Sequence, residues 1–301
     1  MRVLLSGSSG LIGRALTRSL TADDHVVVPL ARAGGSPESV PWDPGGAGLD
    51  HAALADRGPY DAVVHLAGAG IGDRRWSEVR RREIMGSRVA GTTEVARALV
   101  ALDPRPAVLV SASAVGFYGD RGDEVLTEAS GPGTGFLAEV CQAWEAASEA
   151  ASAAGVRVVT LRSGVVLAKQ GGGLAKQLPL FRLGLGGRLG SGRQYLSWIT
   201  LDDEVAVIRR AIEDASLSGP LNATAPEPVT NAEFTRALGR ALRRPAVVWV
   251  PGPALELALG AGIARELLLA GQRAMPVALA AIGHRFGHPQ IGGALRALLV
   301  P

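Results

Sequence analysis

The sequence predicts an α/β fold: a Rossmann-type doubly wound parallel sheet followed by a small C-terminal α/β substrate region. Three observations carry this expectation. Short runs rich in β-branched residues alternate with longer amphipathic stretches, the rhythm of strand–helix–strand units. The runs are almost continuously apolar, as strands covered by helices on both faces are. A glycine string, Gly7-Ser8-Ser9-Gly10-Leu11-Ile12-Gly13, sits where the first strand gives way to the first helix.

In chain order, strands are expected at residues 2–6, 25–30, 62–66, 107–111 and 157–162, with helices at 11–20, 87–100 and 136–153 between them. Past Val166 the alternation fails. Glycine-rich stretches at 171–173 and 184–192 read as loops, and 202–213 and 231–242 as helices. The expected division is a nucleotide-binding domain over residues 1–166 and a mainly substrate-binding region over 167–301, with a strand and helix returning to the sheet around 200–226.

The 301 residues are 47% hydrophobic and 20% charged, which excludes a disordered or fibrous chain. A net charge of +3 is too small to argue for nucleic acid or a membrane surface, and neither is expected as a partner. Cys141 is alone, which rules out an internal disulfide and suits a reducing compartment. The first strand breaks at Ser6-Gly7 without the apolar stretch of a signal peptide, so the expected location is cytoplasmic. Lys169 and Lys176 are the only lysines, which narrows the choice of groups for proton chemistry.

At the glycine string a side chain would hold the backbone away from a pyrophosphate, while the helix start behind it offers free N–H groups to the phosphates. Dinucleotide sites for NAD usually place a carboxylate about 20 residues further on, against the ribose 2′-hydroxyl. Here that position reads Ala31-Arg32, and an arginine fork suits a 2′-phosphate. The expected cofactor is NADP(H).

These residues, with His65-Leu66-Ala67-Gly68-Ala69 and Ser111-Ala112-Ser113-Ala114-Val115-Gly116-Phe117-Tyr118-Gly119, resemble the extended short-chain dehydrogenase/reductases. More narrowly, Leu161-Arg162-Ser163-Gly164-Val165-Val166-Leu167 and Gly192-Arg193-Gln194-Tyr195-Leu196-Ser197-Trp198-Ile199 resemble the atypical epimerase-family group related to bacterial YfcH, along essentially the whole chain. The resemblance implies that Leu66 and Ala67 line the adenosine side of the cofactor and Val166 the nicotinamide side. It sets Arg88, in Arg88-Val89-Ala90-Gly91-Thr92, at a position usually held by asparagine, near a cofactor phosphate or ribose, with Glu83 on the same helix. Gly68, Ser111 and Arg162 complete the implied cofactor set.

One departure bears on the chemistry. The larger family moves a proton with a tyrosine and a lysine four residues later, the lysine lowering the phenol's pKa. In the corresponding segment Leu137 and Cys141, or Phe136 and Val140, hold those positions. Three residues are candidates to substitute: Ser113, at the family's catalytic serine; Tyr118, five residues later; and Tyr195, beside Arg193. Either phenol needs an arginine (Arg162, Arg182 or Arg193) to stabilise its anion. Cys141 in an apolar helix reads as inert core, Glu128 as a solvated loop carboxylate, and the pair His284 and His288 lacks the helix and carboxylate of a metal site. Two functions fit: an NADP(H)-dependent oxidoreductase or epimerase-like enzyme, its acceptor anionic or phosphorylated, or a non-catalytic NADPH-binding regulator.

Overall fold

The computed structural model describes residues 1–32 and 35–300. The chain opens with β1 (Arg2–Ser6), α1 (Leu11–Ala22) and β2 (Val26–Ala31), close to the expected spans. A short excursion follows through β3 (Val40–Asp43), β4 (Gly48–Leu49) and α2 (His51–Asp56). Then come β5 (Ala62–His65), α3 (Glu78–Val100), β6 (Val108–Ala114), β7 (Val125–Leu126), α4 (Phe136–Ala146), α5 (Glu149–Ala153) and β8 (Arg157–Ser163).

The second half holds β9 (Val165–Leu167), α6 (Gly172–Arg182), β10 (Gly187–Leu189), β11 (Tyr195–Leu196), β12 (Trp198–Thr200) and α7 (Leu201–Glu213). It continues with β13 (Gly219–Ala223), β14 (Val229–Thr230), α8 (Asn231–Leu242), β15 (Val248–Val250) and α9 (Gly252–Leu259). A π-helical turn (Ile263–Leu268), β16 (Arg273–Ala274), α10 (Val277–Ala281) and α11 (Ile291–Leu299) complete it.

One eight-stranded sheet, ordered β13-β8-β6-β5-β1-β2-β3-β4, organises the molecule. Its pairings are parallel except β3 with β4. Two apolar layers cover its faces: Leu16 and Leu20 of α1 with Val207 and Ile208 of α7 in one, and Val95 and Leu99 of α3 with Trp42 and Leu54 in the other. A third cluster, around Trp198, Phe181, Phe234 and Leu295, holds the C-terminal helices together. β13 adds to the sheet edge from beyond residue 166, so the sheet draws on both halves of the chain.

Several expectations are corrected. α3 begins at Glu78 rather than at 87, capped by the Ser77 side chain accepting from the Arg80 amide. Its first turns are arginine-rich and hide the apolar period. The stretch 136–153 is two helices, because the Ser148 hydroxyl donates to the Glu145 carbonyl and ends the first. Glycines 171–173 are not a free loop: α6 starts there, since Leu174, Leu178 and Phe181 present one buried face. Among the described residues no helix is long and apolar enough to cross a membrane.

Candidate functional site

The chain runs from β1 outward to β2 and β3, then crosses back to β5 on the other side of β1. That reversal leaves a crevice at the carboxyl ends of β1 and β5, where open α/β sheets bind ligands. The glycine string lies over it. Gly7 adopts φ 71°, and a Cβ there would come 2.9 Å from the Leu66 carbonyl carbon. A Cβ on Gly13 would collide with the Gly7 carbonyl, so the turn folds back on the helix only without side chains. Gly10 caps α1 without a side-chain bond, and the first amides of the helix face the crevice uncapped.

The other wall is built from β5. The Ser6 hydroxyl bridges His65 Nδ1 (2.8 Å) and the amides of Leu66 (3.1 Å) and Ala67 (3.3 Å), fixing the Leu66-Ala67-Gly68 turn against the glycine loop. Burial pushes the His65 imidazole down to about 4, so it is neutral and structural. Ser111, beside it on β6, is buried with its hydroxyl unpartnered among the described residues. Ser8, Leu11 and Ile12 are half-buried and Ser9 exposed along the loop; Leu11 also meets the start of α6, where a Cβ on Gly171 would lie 3.0 Å from it. Ala31 ends β2 and Arg32 follows it, exposed. The donors, the glycine cradle and the missing carboxylate suit a dinucleotide with a 2′-phosphate.

Further along the strand ends lies a cavity of about 230 Å³. Its walls are mostly apolar, with Ile71, Val115, Leu137, Val140, Trp144 and Val165 among them. The polar groups include Arg88, Ser163, Tyr195 and Glu266. The Arg88 guanidinium stacks on Trp144 at 4.7 Å and donates to the Ala69 carbonyl at 3.0 Å. It thus ties α3 to the turn after β5 and remains the cavity's one arginine. Glu266 accepts from the Leu137 amide at 2.8 Å and caps α4 from the C-terminal segment. Cys141 also lines the cavity, its thiol pushed up to about 11 by burial, which makes it inert near neutral pH.

Of the three candidates for acid–base work, only Tyr195 lines this cavity, with the Arg273 guanidinium 4.9 Å from its ring. Tyr118 is fully enclosed. Its phenol donates to Asn222 Oδ1 (2.7 Å), accepts from Arg162 (3.1 Å), and is pushed up by burial. Ser113 is likewise turned away, donating to Glu145 at 2.7 Å. Arg162, expected at the cofactor, is buried in a two-bond ion pair with Glu145 (2.9 and 2.8 Å) and lies over Phe117 at 3.5 Å. Its charge is already neutralised there.

Glu83 points to solvent, paired with Arg80 and Arg74. Glu128 is not a solvated loop group, for it accepts from the amides of Asn222 and Ala278 at 3.2 Å each. His284 sits in a turn against Phe286, and the amide of His288 donates to Asp203. The reading from sequence missed Glu145, Glu204 and Glu266. Two of these carried a signal: Glu145 falls at helical spacing behind Ala138 and Cys141, and Glu204 leads the buried row Ile208 and Ala211. A carboxylate on an apolar stripe is itself informative.

A Rossmann-type sheet with a glycine loop at its reversal point and a cavity at the next strand ends defines a short-chain dehydrogenase/reductase architecture. A model of the NAD dependent epimerase/dehydratase family matches residues 3–222, and one of a domain of unknown function, DUF1731, matches residues 250–298. The chain belongs to the NAD dependent epimerase/dehydratase family. The epimerase family protein Mb2239 of Mycobacterium bovis is 50% identical over 294 residues, covering 97% of this chain and 96% of its own. The epimerase family protein YfhF of Bacillus subtilis is 34% identical over 305 residues, covering 99% and 98%. Among solved structures, human epimerase family protein SDR39U1 (isoform 2) with NADPH superposes with a TM-score of 0.90 at 35% identity, covering 99% of each chain.

Proposed function

We propose that this chain is an NADP(H)-dependent oxidoreductase or epimerase-like enzyme acting on a small molecule, of the epimerase-family subgroup that resembles YfcH. The observation that carries the reading is the uncapped start of α1 behind a glycine turn too tight for side chains, with Arg32 where a 2′-hydroxyl site would hold a carboxylate. NADPH in the human relative supports it.

Gly7 to Gly13 hold the pyrophosphate, Arg32 the 2′-phosphate, Leu66, Ala67 and Gly68 the adenosine side, and Val166 the nicotinamide side. Ser111 stands beneath that groove. Bound NADP(H) supplies or takes the hydride; the protein contributes position, the exclusion of water and the proton. The cavity wants a compact and mainly apolar substrate, with Arg88 to meet one anionic or carbonyl group and Tyr195 to hydrogen-bond another.

The test is calorimetric titration of cofactor-stripped protein with NADPH, NADP⁺ and NADH. Micromolar binding of both NADP forms, with NADH much weaker, is the expected result. Binding of none overturns the reading. NADPH bound tightly with hardly any NADP⁺ overturns the enzyme and leaves a sensor.

A further inference from the structure

Glu204 is a carboxylic acid in an unusual place. It lies in the first turn of α7, 1% exposed, on the face that carries Ile208 and Ala211 into the core. One oxygen is 2.6 Å from the Ser163 hydroxyl; the other has no partner among the described residues. Ser163 ends β8 and lines the cavity. A buried carboxylate normally has a cation or several donors, and Glu204 has one serine.

Neighbouring charges do not account for it. On its own helix, Asp203 is turned to Thr200 and to the amides of Gly287 and His288, while Arg209 and Arg210 pair with Asp23, Glu213 and Asp214. His284 is held below the ordinary imidazole range by burial, and the charges acting on it are those of Asp203 and Arg210. On β8, Arg162 is held by Glu145 and Arg157 by carbonyls of α7 and its following turn. On α1, Arg14 bonds the Ser9 carbonyl. β6, β9 and β12 contribute no charged side chain.

We propose that Ser163 is the proton donor to the substrate oxygen in this cavity and that Glu204 reloads it, in place of the missing tyrosine and lysine. The inference rests on the NADP(H) reading above. With Glu204 ionised, the serine donates to the carboxylate and offers the cavity only a lone pair. With Glu204 protonated, the carboxyl donates to Ser163 Oγ and frees the serine proton to point into the cavity. In reduction, the carbonyl carbon gains the hydride that bound NADPH supplies. The carbonyl oxygen takes the Ser163 proton, and Ser163 takes the Glu204 proton as its own leaves. An alcohol, NADP⁺ and a carboxylate remain; once the alcohol has left, water in the cavity gives a proton to Ser163 as the serine passes its own to Glu204. Oxidation runs the same exchange backwards. Burial holds Glu204 at about 7, where both states are populated near neutral pH. Tyr195 then holds the substrate without having to ionise.

The experiment needs no substrate. NADP⁺ carries a positive nicotinamide and NADPH does not, so NADP⁺ bound near Ser163 favours the ionised Glu204. Calorimetry at pH 7 in buffers of different ionisation enthalpy counts the protons exchanged. Wild type is expected to release about 0.2–0.4 more proton per NADP⁺ than Glu204→Gln does, with no such difference for NADPH. Glu204→Leu, an apolar side chain of similar volume, repeats the comparison if the glutamine variant folds poorly. Equal release by wild type and variant, with NADP⁺ bound by both, overturns the relay and leaves the cofactor reading intact. Failure of wild type to bind either cofactor overturns both. Once a carbonyl substrate is in hand, Ser163→Ala and Glu204→Gln should each lower turnover at least about a hundredfold with NADPH affinity kept. The decline in reduction rate as pH rises through about 7 should vanish in Glu204→Gln. Full turnover by Ser163→Ala overturns the assignment.

Discussion

Arg162 shows how a residue type can mislead until its partner is known. An arginine at the end of a Rossmann strand reads as a phosphate or phenolate ligand; the structure does give it the Tyr118 phenol, but inside the core, with its fork held by Glu145 and its face by Phe117. Removing one member of a buried pair is far worse than exchanging both, because the survivor keeps its charge in a dry place. Glu145→Leu is therefore expected to destabilise the protein by roughly 3–5 kcal/mol, read from urea unfolding. Tyr118→Phe leaves Asn222 and Arg162 short of a partner and should cost about 1–3 kcal/mol, while NADPH affinity and any turnover stay unchanged. A large loss of turnover with unchanged stability would restore Tyr118 to the site. At the opposite extreme of exposure, Arg32→Ala should weaken NADPH about tenfold and NADH hardly at all, since only the former carries the 2′-phosphate. Equal losses would remove Arg32 from that role.

At the scale of elements, the first βαβ unit was legible because its glycines, apolar strands and helix period all agree. Gly13→Ala tests how tightly that unit is built. The new methyl group meets the Gly7 carbonyl, so cofactor binding should fall by more than tenfold even where the fold survives, as titration of the purified variant would show. Elements whose signal was masked were read late or not at all. The arginines of α3 blur its start, and the glycines of α6 imitate a loop until Leu174, Leu178 and Phe181 are counted together. The cavity was illegible for another reason. Its walls come from β6, α4, β8, β11 and the π-helical turn, with lining residues from Ile71 to Gln272, and no local pattern announces that they meet. The Tyr-x-x-x-Lys position was readable as empty; what replaces it depends on a hydrogen bond between residues 41 apart in sequence.

For the molecule as a whole, two buried titratable groups should shape stability in opposite senses. Glu204 is held at about 7 against an ordinary 4.5, so between those values the folded state binds more protons than the unfolded and stability falls as pH rises. His65 is held at about 4 against 6.5, so there the unfolded state binds more protons and stability falls as pH drops. Each contribution is on the order of 3 kcal/mol over its window, and between pH 4.5 and 6.5 they largely oppose each other. Urea midpoints across that window should be nearly flat for the wild type with respect to these groups. In Glu204→Gln they should climb from pH 4 to 6.5. A flat profile in the variant would remove the His65 contribution.

Glu266 and β13 have a consequence for anyone who would exchange parts among these proteins. The sheet is complete only at Ala223, and α4 is capped only by a carboxylate that arrives much later, at residue 266. A crossover placed at residue 166, where the strand–helix alternation ends, would cut the sheet from its edge strand. A graft that joins a foreign tail after residue 223 would keep the sheet whole, but the incoming segment must bring an acceptor to the Leu137 amide, a donor to Glu128 and apolar side chains to cover Trp198 and Phe181. The cavity is thus shared across that joint: a new tail brings the π-helical turn and its carboxylate, while the walls from β6, α4, β8 and β11 stay with the host.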